Sequence, residues 1–388
     1  MKEMKQYTIA EICSRLSSGK GIPASKVTPT GPYPVIGGNG VRGYTDSFNF
    51  DGECAIIGRQ GANCGNVRYF QGKAYMTEHA IVAIGNENAN TKYLACLFSL
   101  MHLGNLSAQS AQPGLSVQTL SKQIIYLPEI STQNQIADII KSLDTKIELN
   151  NRINHNLEQQ AQALYKSWFV DFEPFRGGKF IDSELGLIPE GWRVGQLSEI
   201  CEIVGGGTPS KVKTEYYTNN GIHWLTPKDL SISCKKFTSR GLEDITELGY
   251  KSSSAKLMPK GAVLFSSRAP IGYLTIAKNT ICTNQGFKSA VPGIAGTAFL
   301  YYYLKFNTEY IKTLASGSTF KEASGSLMKS LAVVIPPKMV FDKFEDVMAR
   351  YFDSQENIEL ENSHHVEVRD SLLPRLMSGK LKINDLTC

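Results

Sequence analysis

In each half of the chain, polar side chains come directly after a run of residues that predicts a buried strand. Arg59 ends the apolar run 52–58, and Gln60 and Asn63 come shortly after it. Arg268 ends a similar run in the second half. Arginine forms paired hydrogen bonds with guanine, whereas asparagine and glutamine pair with adenine. If the chain binds DNA, these residue types are the ones that would contact base edges. The alternative for each of them is a solvated or salt-bridged surface side chain.

Other side chains of the same chemistry occur near these two runs. Hydroxyl, amide, imidazole and guanidinium groups all form hydrogen bonds with bases, whereas lysine mostly positions phosphates. The further candidates are Arg42, Arg68, Thr77, His79 and Gln109 in the first half, and Asn284, Gln285, Thr319 and Lys321 in the second. The lysines that we expect at phosphates are Lys211, Lys213 and Lys228.

No enzyme motif accompanies these candidates. The sequence has no GxxxxGK[ST] phosphate loop, and its Pro336-Pro337 pair lacks the acid or amide that precedes it in adenine methyltransferases. The GxGxxG match at residues 38–43 is not followed by the helical pattern that a dinucleotide site needs. We expect a turn or a DNA-facing loop there, and neither a catalytic residue nor a cofactor on this chain.

Composition sets wider limits. The eight cysteines form no CxxC pair and have no histidine at ligand spacing, so we expect reduced, mostly buried thiols and no metal site. A chain of 388 residues is long enough for two or three domains, and a net charge of +5 permits a nucleic-acid partner without requiring one. No apolar run reaches the ~18 residues of a membrane span. We expect a cytoplasmic protein with no membrane partner.

The chain contains a long internal repeat. Each half begins with a strand pattern, a short predicted helix that ends in Glu-Ile-Cys, and a glycine-rich turn. Each half later contains a buried strand with a terminal arginine, and ends on a strand closed by a proline that opens a helix. The matched segments are residues 7–13 with 192–201, 52–59 with 261–268, and 124–128 with 332–336.

A heptad pattern after each closing proline predicts a long helix, roughly 50–55 Å in length at ~1.5 Å per residue. The first seam alternates by four and three through Ile136, Ile140, Leu143, Ile147, Asn150, Asn154, Leu157, Ala161, Leu164 and Trp168. The second contains Phe344, Val347, Tyr351, Ile358, Val368, Leu372 and Leu376, and a shift of 208 residues superposes the two patterns. Pairing the helices buries both seams, with Asn150, Asn154 and His365 as polar residues that fix the register. The alternative is that each helix packs on its own domain.

In its order of domain, helix, domain and helix, the chain resembles the specificity subunits of type I restriction-modification systems. Three motifs add to this resemblance: Gly-Leu-Ile-Pro-Glu-Gly-Trp at 186–192, Gly-Gly-Thr-Pro-Ser-Lys at 206–211, and Leu-Leu-Pro-Arg-Leu-Met-Ser-Gly at 372–379. The similarity covers nearly the whole chain. The first half departs from it, because it lacks both the Pro-x-Gly-Trp lead-in before Tyr7 and the Thr-Pro of the glycine turn.

The resemblance implies an α+β fold with an internal pseudo-two-fold repeat. Two similar α/β target-recognition domains are separated by two long helices, which form an antiparallel coiled coil. The implied segments are a first recognition domain at 1–130, a central helix at 131–170, a linker and second recognition domain at 171–338, and a distal helix at 339–388.

The resemblance also implies a non-catalytic subunit that reads a bipartite, asymmetric DNA site, one domain for each half-site, with the helices setting the spacer. The implied partners are double-stranded DNA, two methyltransferase subunits and the motor-nuclease restriction subunits. S-adenosylmethionine and ATP are expected on those partners rather than on this chain. A rival interpretation is a coiled-coil scaffold whose two domains bind protein or glycan.

Overall fold

The computed structural model describes residues 4–107, 114–233, 235–317 and 321–381. The chain forms two compact units. Unit 1 contains Met1–Leu149 and Ser363–Cys388, and unit 2 contains Asn150–Asn362. Each unit combines one α/β domain with a segment of each long helix, whereas the division expected from the sequence treats the helices as separate segments.

The described part of unit 1 contains eight strands, two short helices and segments of the two long helices. The strands are β1 Lys5–Thr8, β2 Cys13–Ser18, β3 Tyr33–Gly37, β4 Gly40–Thr45, β5 Phe50–Gly58, β6 Val67–Met76, β7 Ala80–Gly85 and β8 Ile124–Leu127. The helices that begin in this unit are α1 Thr91–Leu100, α2 Val117–Ser121 and α3 Ile130–Phe169. Six strands form one sheet in the order β2-β7-β5-β6-β3-β4, and β1 pairs with β8 in a separate antiparallel sheet.

Strand β5 shows why this sheet is the centre of unit 1. Successive side chains of a strand point to opposite faces. Ala55 and Ile57 pack on one face into the cluster that contains Tyr93 of α1, whereas Cys54 and Ile56 pack on the other face into a smaller cluster. Both faces of β5 are therefore buried, and the strand is held between β6 and β7.

The described part of unit 2 contains thirteen strands, four helices of its own and segments of the two long helices. The strands are β9 Phe180–Ser183, β10 Gly186–Pro189, β11 Arg193–Gln196, β12 Cys201–Gly205, β13 Tyr217–Thr218, β14 Ile222–Leu225, β15 Phe237–Thr238, β16 Asp244–Ile245, β17 Val263–Ser267, β18 Ile271–Ala277, β19 Cys282–Thr283, β20 Lys288–Pro292 and β21 Ala332–Ile335. The helices are α4 Pro227–Ser233, α5 Glu247–Lys251, α6 Thr297–Leu314 and α7 Gly325–Ser330, followed by the long α8 Lys338–Met377.

The main sheet of unit 2 has the order β12-β20-β17-β18-β15, and a second sheet has the order β13-β16-β14-β19. Strand β17 alternates between two clusters as β5 does, because Val263 and Phe265 face one cluster and Leu264 faces another. Helix α6 covers the first face, and its residues 298–304 are all buried. Strands β11 and β21 form an antiparallel pair that matches β1 and β8.

The two long helices α3 and α8 each contain 40 residues. The first residue of α8 lies 208 positions after the first residue of α3, and the two last residues are separated by the same number. Within unit 1, Asp144 of α3 contacts Arg369 of α8, and Ile136 lies in the same cluster as Leu376. The partner number falls as the α3 number rises, so the two segments are antiparallel. The predicted helices, and their antiparallel pairing in this unit, are confirmed.

Within unit 2 the same two helices are again antiparallel. Asn150 donates hydrogen bonds to Asn362 Oδ1 at 3.0 Å and to Glu361 Oε2 at 2.7 Å. Trp168 contacts Phe344, with 5.6 Å between ring centroids. Asn150 is buried, and a buried amide that is paired across a helix interface favours one register over others. Its predicted place on the seam is therefore confirmed.

The seam of α8 differs from the predicted one at Val347. Val347 is 38% exposed, whereas Met348 is fully buried, so the stripe passes through Met348. From Met348 the stripe continues at heptad spacing through the buried Gln355 and through Asn362. It then reaches Arg369, which lies one residue beyond the predicted Val368. Because these seam positions are polar, the apolar pattern in the sequence does not reveal the heptad spacing. When they are included, the α8 seam matches the α3 seam at the same shift of 208.

One local prediction needs correction and another is confirmed. The short helix ending in Glu-Ile-Cys is only a 3-10 turn, Leu197–Glu199, in unit 2, and the matching residues of unit 1 form a hydrogen-bonded turn. Cys13 and Cys201 begin the next strands instead. The GxGxxG segment at 38–43 contains the turn between β3 and β4 and the first residues of β4, so the turn is followed by strand rather than helix, as predicted.

The repeat has a different register from the predicted one at the arginine-ended strands. Arg59 donates its amide hydrogen to His79 and accepts at its carbonyl from Leu115. In unit 2 the residue with the corresponding bonds, to Gly286 and from Ala323, is Ser267. Pairing of β17 with β18 shifts between Phe265 and Ser267, which is a β-bulge or a similar irregularity. Arg268 therefore lies one residue beyond the position of Arg59, and the predicted equivalence of these two arginines is wrong.

Candidate nucleic-acid interface

Three loops of unit 1 meet at the end of β5. The Arg59 amide donates to the His79 carbonyl at 2.9 Å, which joins the loop after β5 to the turn between β6 and β7. The Leu115 amide donates to the Arg59 carbonyl at 2.8 Å, and Gln60 forms a bridge with Gly114. The candidates Arg59, Gln60 and His79 are therefore close together. The candidate Gln109 is outside the described residues.

The turn between β3 and β4 lies beside these loops because it has no side chains at its crowded positions. A Cβ atom on Gly38 would be 2.8 Å from the His79 carbonyl oxygen, and one on Gly40 would be 2.2 Å from Nη1 of Arg68. Gly40 has a φ of +105°, a conformation that favours glycine. The glycines of this motif therefore allow the Arg68 guanidinium to lie against the turn, which we name the glycine hairpin (residues 37–43).

Several polar side chains around the glycine hairpin form hydrogen bonds with residues of the adjoining loops. Gln60 Oε1 is 3.0 Å from Nδ1 of His79, and Asn63 Oδ1 accepts from Asn66 at 3.0 Å. Arg59 is half-buried and donates to the Glu78 carbonyl at 3.4 Å. Gln60, Asn63 and His79 retain exposed or half-exposed side chains that a ligand can reach.

Thr77 does not fit its predicted role. Its side chain is fully buried, so it cannot reach a ligand at the surface without movement of the loop. The Thr77 amide instead donates to the Ile36 carbonyl at 2.9 Å, which ties the turn to β3. The burial of Thr77 contradicts its predicted role as a DNA contact, and its backbone amide joins the turn that contains Glu78 and His79 to β3.

Arg42 and Arg68 are the exposed basic groups of this site. Among the described residues, neither of them nor Arg59 forms an ion pair with a carboxylate. The three guanidinium groups outnumber the nearby carboxylate of Glu78, so this end of unit 1 has an excess of positive charge, which attracts a polyanion.

Unit 2 brings its corresponding loops together with the same backbone bonds. The Ala323 amide donates to Ser267 at 2.9 Å, and the Asn284 amide donates to Leu225 at 2.9 Å. The glycine-rich turn is also attached by a backbone hydrogen bond, because the Gly207 amide donates to the Thr283 carbonyl at 2.8 Å. Lys321 is exposed, and Thr319 lies outside the described residues.

The side chains in unit 2 are more completely paired. Arg268 contacts Glu322 at 3.3 Å, and Lys288 contacts the same carboxylate at 3.2 Å. Gln285 is exposed and its side-chain oxygen accepts a hydrogen bond from the Thr208 hydroxyl. Asn284 is half-buried, and its Oδ1 accepts from the Gly286 amide at 2.9 Å. This site is therefore rich in amide and hydroxyl groups, and its arginine is neutralised.

The three lysines expected at phosphates are all exposed, on or near the second sheet of unit 2. Lys211 lies in a surface depression of about 390 Å³ with Tyr217 and Asn219. Lys213 donates a hydrogen bond to Tyr216 Oη at 3.0 Å, which raises the pKa of the lysine. Lys228 is the second residue of α4. The contacts described in unit 2 do not pair all three ammonium groups. The expected role of these lysines at phosphates remains a prediction.

A buried charge network in unit 2 was missed by sequence reasoning. Glu158 of α3 contacts Lys236 at 2.8 Å and Lys305 at 2.5 Å. Burial alone would raise the pKa of Glu158, but these two ammonium groups together outweigh it and lower the pKa to about 2. Lys236 also donates to Gln355 of α8 at 2.7 Å, so the network joins the domain to both helices.

Lys236 is enclosed by aromatic rings as well as by acceptors. Its ammonium group is 4.1 Å from the ring centroid of Phe352 and 4.6 Å from that of Tyr301. Burial lowers the pKa of Lys236 to about 8, even though Glu158 opposes this effect. No signal in the sequence connects Glu158, Lys236 and Lys305, because they are far apart along the chain.

Unit 1 attaches its domain to the helices through a simpler network. Lys92 of α1 contacts Asp144 of α3 at 2.5 Å, and Arg369 of α8 contacts the same carboxylate at 3.0 Å. The Lys92 ammonium also lies 4.6 Å from the ring centroid of Tyr69. The Lys92 side chain is 9% exposed and that of Asp144 is 32% exposed, so water reaches only one of the partners well.

The cysteines and the acidic and histidine side chains were the other groups with possible chemistry. Burial raises the pKa of the six described cysteines, so these thiols stay neutral near pH 7. Within the described ranges, no group of three or more histidine, cysteine or acidic side chains is arranged to hold a metal ion. No described helix is both long and apolar enough to cross a membrane.

Comparison with known proteins identifies the family. Residues 1–159 and 189–368 match the model of the type I restriction modification DNA specificity domain. The matched segments cover most of the chain, so the chain belongs to this family. The family domain occurs twice, in agreement with the internal repeat and with the two α/β domains.

Individual relatives match over different lengths. The chain is 40% identical over 188 residues to the type I restriction enzyme MjaIX specificity subunit of Methanocaldococcus jannaschii, which covers 47% of this chain and 43% of that protein. It is 28% identical over 330 residues to the HindI specificity subunit of Haemophilus influenzae, covering 69% and 71%. The crystal structure of the S subunit of a type I restriction-modification system from M. genitalium has the same fold, with a TM-score of 0.66, 17% identity, and coverage of 97% and 96%.

Proposed function

We propose that this chain is the DNA-reading subunit of a type I restriction-modification complex, and that it recognises a bipartite, asymmetric site. Unit 1 reads one half-site and unit 2 reads the other. The observation that carries the proposal is that each unit gathers three loops at the end of equivalent strands and presents guanidinium or amide groups on them. These groups are the ones that read base edges in the major groove.

The proposed subunit does no chemistry of its own. Two methyltransferase subunits would supply S-adenosylmethionine-dependent methylation, and motor-nuclease subunits would supply ATP-driven cleavage. The neutral buried thiols and the lack of phosphate-loop motifs support this division of labour. The proposed location is the cytoplasm, where DNA and these partners meet.

The first experiment is selection from a randomised duplex library with the purified full chain. We expect enrichment of two short base patterns separated by a spacer of fixed length. Co-purification with a methyltransferase subunit from the same organism is expected in parallel, and the chain alone should not consume S-adenosylmethionine or ATP. A chain that enriches no sequence, or that turns over either cofactor, would contradict the proposal.

The long helices are proposed to set the spacer. Their equal lengths support this, and so does their antiparallel pairing within each unit. Removing seven residues from each helix, between Asp144 and Glu158 in α3 and between Gln355 and Arg369 in α8, keeps the heptad seam and the anchoring contacts. At ~1.5 Å per residue this shortens each helix by about 10 Å.

The expected result is a spacer about three base pairs shorter with unchanged half-site bases, because base pairs rise ~3.4 Å. Deleting four residues from each helix breaks the seam and serves as the matched control. The same library measures both variants. Changed bases with an unchanged spacer would show that the helices do not set the distance.

A further inference from the structure

The glycine hairpin gives unit 1 a set of arginines that unit 2 lacks. Arg42 lies against the hairpin at Gly37, where a Cβ atom would be 2.9 Å from its Cδ. Arg68 lies against it at Gly40. Both side chains are exposed and, among the described residues, neither is neutralised by a carboxylate. Their donors are therefore available to an external acceptor.

The corresponding positions of unit 2 have different chemistry. Strand pairing places Arg68 opposite Ile56, and the residue paired with the matching Leu264 is Thr275. Thr275 is fully buried and shares a hydrogen bond with Thr238. After β3 the chain of unit 1 turns back into β4, whereas after β14 the chain of unit 2 enters α4. Unit 2 therefore has no counterpart of the arginine-bearing hairpin.

We propose that Arg42 and Arg68 make the half-site of unit 1 dependent on guanine, whereas Gln285 makes that of unit 2 dependent on adenine. This inference rests on the proposed function. Guanine presents two acceptors, O6 and N7, in the major groove, and a free guanidinium matches them with two donors. Gln285 is exposed, and its side-chain oxygen, which accepts from the Thr208 hydroxyl, has a second lone pair for the N6 amino group of adenine, while its amide NH2 can donate to N7.

Arg59 has a different part in this arrangement. It is half-buried, its guanidinium donates to the Glu78 carbonyl, and its backbone holds His79 and Leu115. We assign it as a positioning residue for the turn that contains His79 and not as a reader of bases. Replacement of Arg59 by lysine should therefore weaken binding to the unit 1 half-site without changing which bases are preferred there.

The test uses the full chain and a randomised duplex library, with the variants Arg68→Lys, Arg42→Lys and Gln285→Ala. The lysine variants retain the positive charge but lose the paired donors. We expect each to reduce guanine enrichment about tenfold in one half of the motif and to leave the other half unchanged. Gln285→Ala should reduce adenine enrichment in the opposite half. Arg375→Lys, an exposed substitution in α8, is the matched control and should change neither half.

A chemical substitution in the DNA keeps the test independent of protein folding. Replacing guanine by 7-deazaguanine in the unit 1 half-site removes the N7 acceptor. It should weaken wild-type binding about tenfold and weaken binding of Arg68→Lys or Arg42→Lys by much less. If both lysine variants keep the wild-type motif, or if 7-deazaguanine has no effect, the arginine assignment is wrong while DNA reading stands. If the wild-type chain enriches no motif, the proposed function fails as well.

Discussion

Unit 1 and unit 2 use the same backbone framework around their candidate sites but attach different side chains to it. Arg59 in unit 1 and Ser267 in unit 2 have the same pattern of main-chain bonds. The irregularity between Phe265 and Ser267 moves Arg268 one residue onward, where Glu322 neutralises it. Recognition chemistry can therefore change between two copies of one framework without any change in the strands that support the loops.

The two units also differ in how their domains are fixed to the helices. In unit 2 the ammonium groups of Lys236 and Lys305 share the carboxylate of Glu158, and aromatic rings enclose Lys236. In unit 1 the carboxylate of Asp144 is shared by Lys92 and Arg369 and is one-third exposed. Because a buried charge that loses its partner is costly, unit 2 should be the more sensitive to loss of its carboxylate.

The largest effect is expected from Glu158→Ala. It leaves Lys236 buried without its carboxylate, and removal of one member of a buried ion pair costs about 3–5 kcal/mol. Hydrogen–deuterium exchange of peptides from β15 and α6 should report this loss in unit 2, with little change in β5 and α1 of unit 1. Asp342→Ala, which removes an exposed pair with Lys338, is the control and should cost about 0.5 kcal/mol or less. Equal loss in both units would show that the network does not act locally.

Acid should weaken unit 2 for the same reason. The folded-state pKa of Glu158, about 2, lies below the ordinary value of 4.5. The carboxylate therefore adds stability that is complete above pH 4.5 and is lost as the pH falls through 4.5 toward 2. The shift corresponds to about 3 kcal/mol. Unit-resolved hydrogen exchange between pH 6 and pH 2.5 should show the loss in wild type, while Glu158→Gln should lack this component. An identical pH dependence in both proteins would rule it out.

A smaller effect is expected from Asp144→Ala in unit 1. Lys92 loses its carboxylate there, but water can reach the vacated space because Asp144 is one-third exposed. The expected cost is about 1–3 kcal/mol, that of leaving a partly buried donor unsatisfied. Peptides from α1 should exchange faster, and those from β15 should not. A cost as large as that of Glu158→Ala would remove the difference between the two units.

The extent to which the sequence predicts this structure depends on how local the signal is. The apolar run at residues 54–57, which predicts a buried strand, and the heptad seam of α3 are short-range patterns, and both the strand and the helix are present as predicted. The irregularity near Ser267 is invisible in the sequence, because the two matched runs have equal length and both end in arginine. Only the hydrogen bonds reveal that they are aligned one residue apart.

The seam of α8 and the anchoring networks were missed for other reasons. Val347 and Met348 are both apolar, and the polar Gln355 and Arg369 interrupt the stripe that would have distinguished them. Lys236 was not a candidate because it has no unusual neighbours in sequence. Its partners Glu158 and Gln355 are brought to it by the fold, so their proximity depends on tertiary structure that one sequence does not display.

The comparison of the two strand ends predicts unequal effects of two arginine substitutions on DNA binding. Arg59→Ala removes the bond to the Glu78 carbonyl and should weaken the unit 1 half-site by about 1–2 kcal/mol. Arg268→Ala removes a partly exposed ion pair and should change binding by less than about 1 kcal/mol. Titrations of duplexes in which one half of the selected site is scrambled separate the halves. Equal effects on the two halves would restore the equivalence that the sequence suggests.

The smallest effect is expected from Glu322→Gln. This change neutralises the carboxylate that Arg268 and Lys288 share, so both cations become available to phosphates. Affinity for random-sequence DNA should rise a few-fold, and the slope of log affinity against log salt should steepen by about one unit. Because the freed arginine is still one residue beyond the position of Arg59, the bases preferred by unit 2 should not change.

A matched control separates this local effect from that of net charge. Glu309→Gln alters the total charge equally, but Glu309 is largely exposed and pairs with Lys312 on the surface of α6. If both variants raise DNA affinity to the same degree, overall charge accounts for the gain and Arg268 is not close to DNA. If only Glu322→Gln does so, Glu322 restrains a cation at the interface. A gain in guanine preference at the unit 2 half-site would show that Arg268 reaches a base, so that neutralisation by Glu322, rather than the one-residue offset, keeps the two units different.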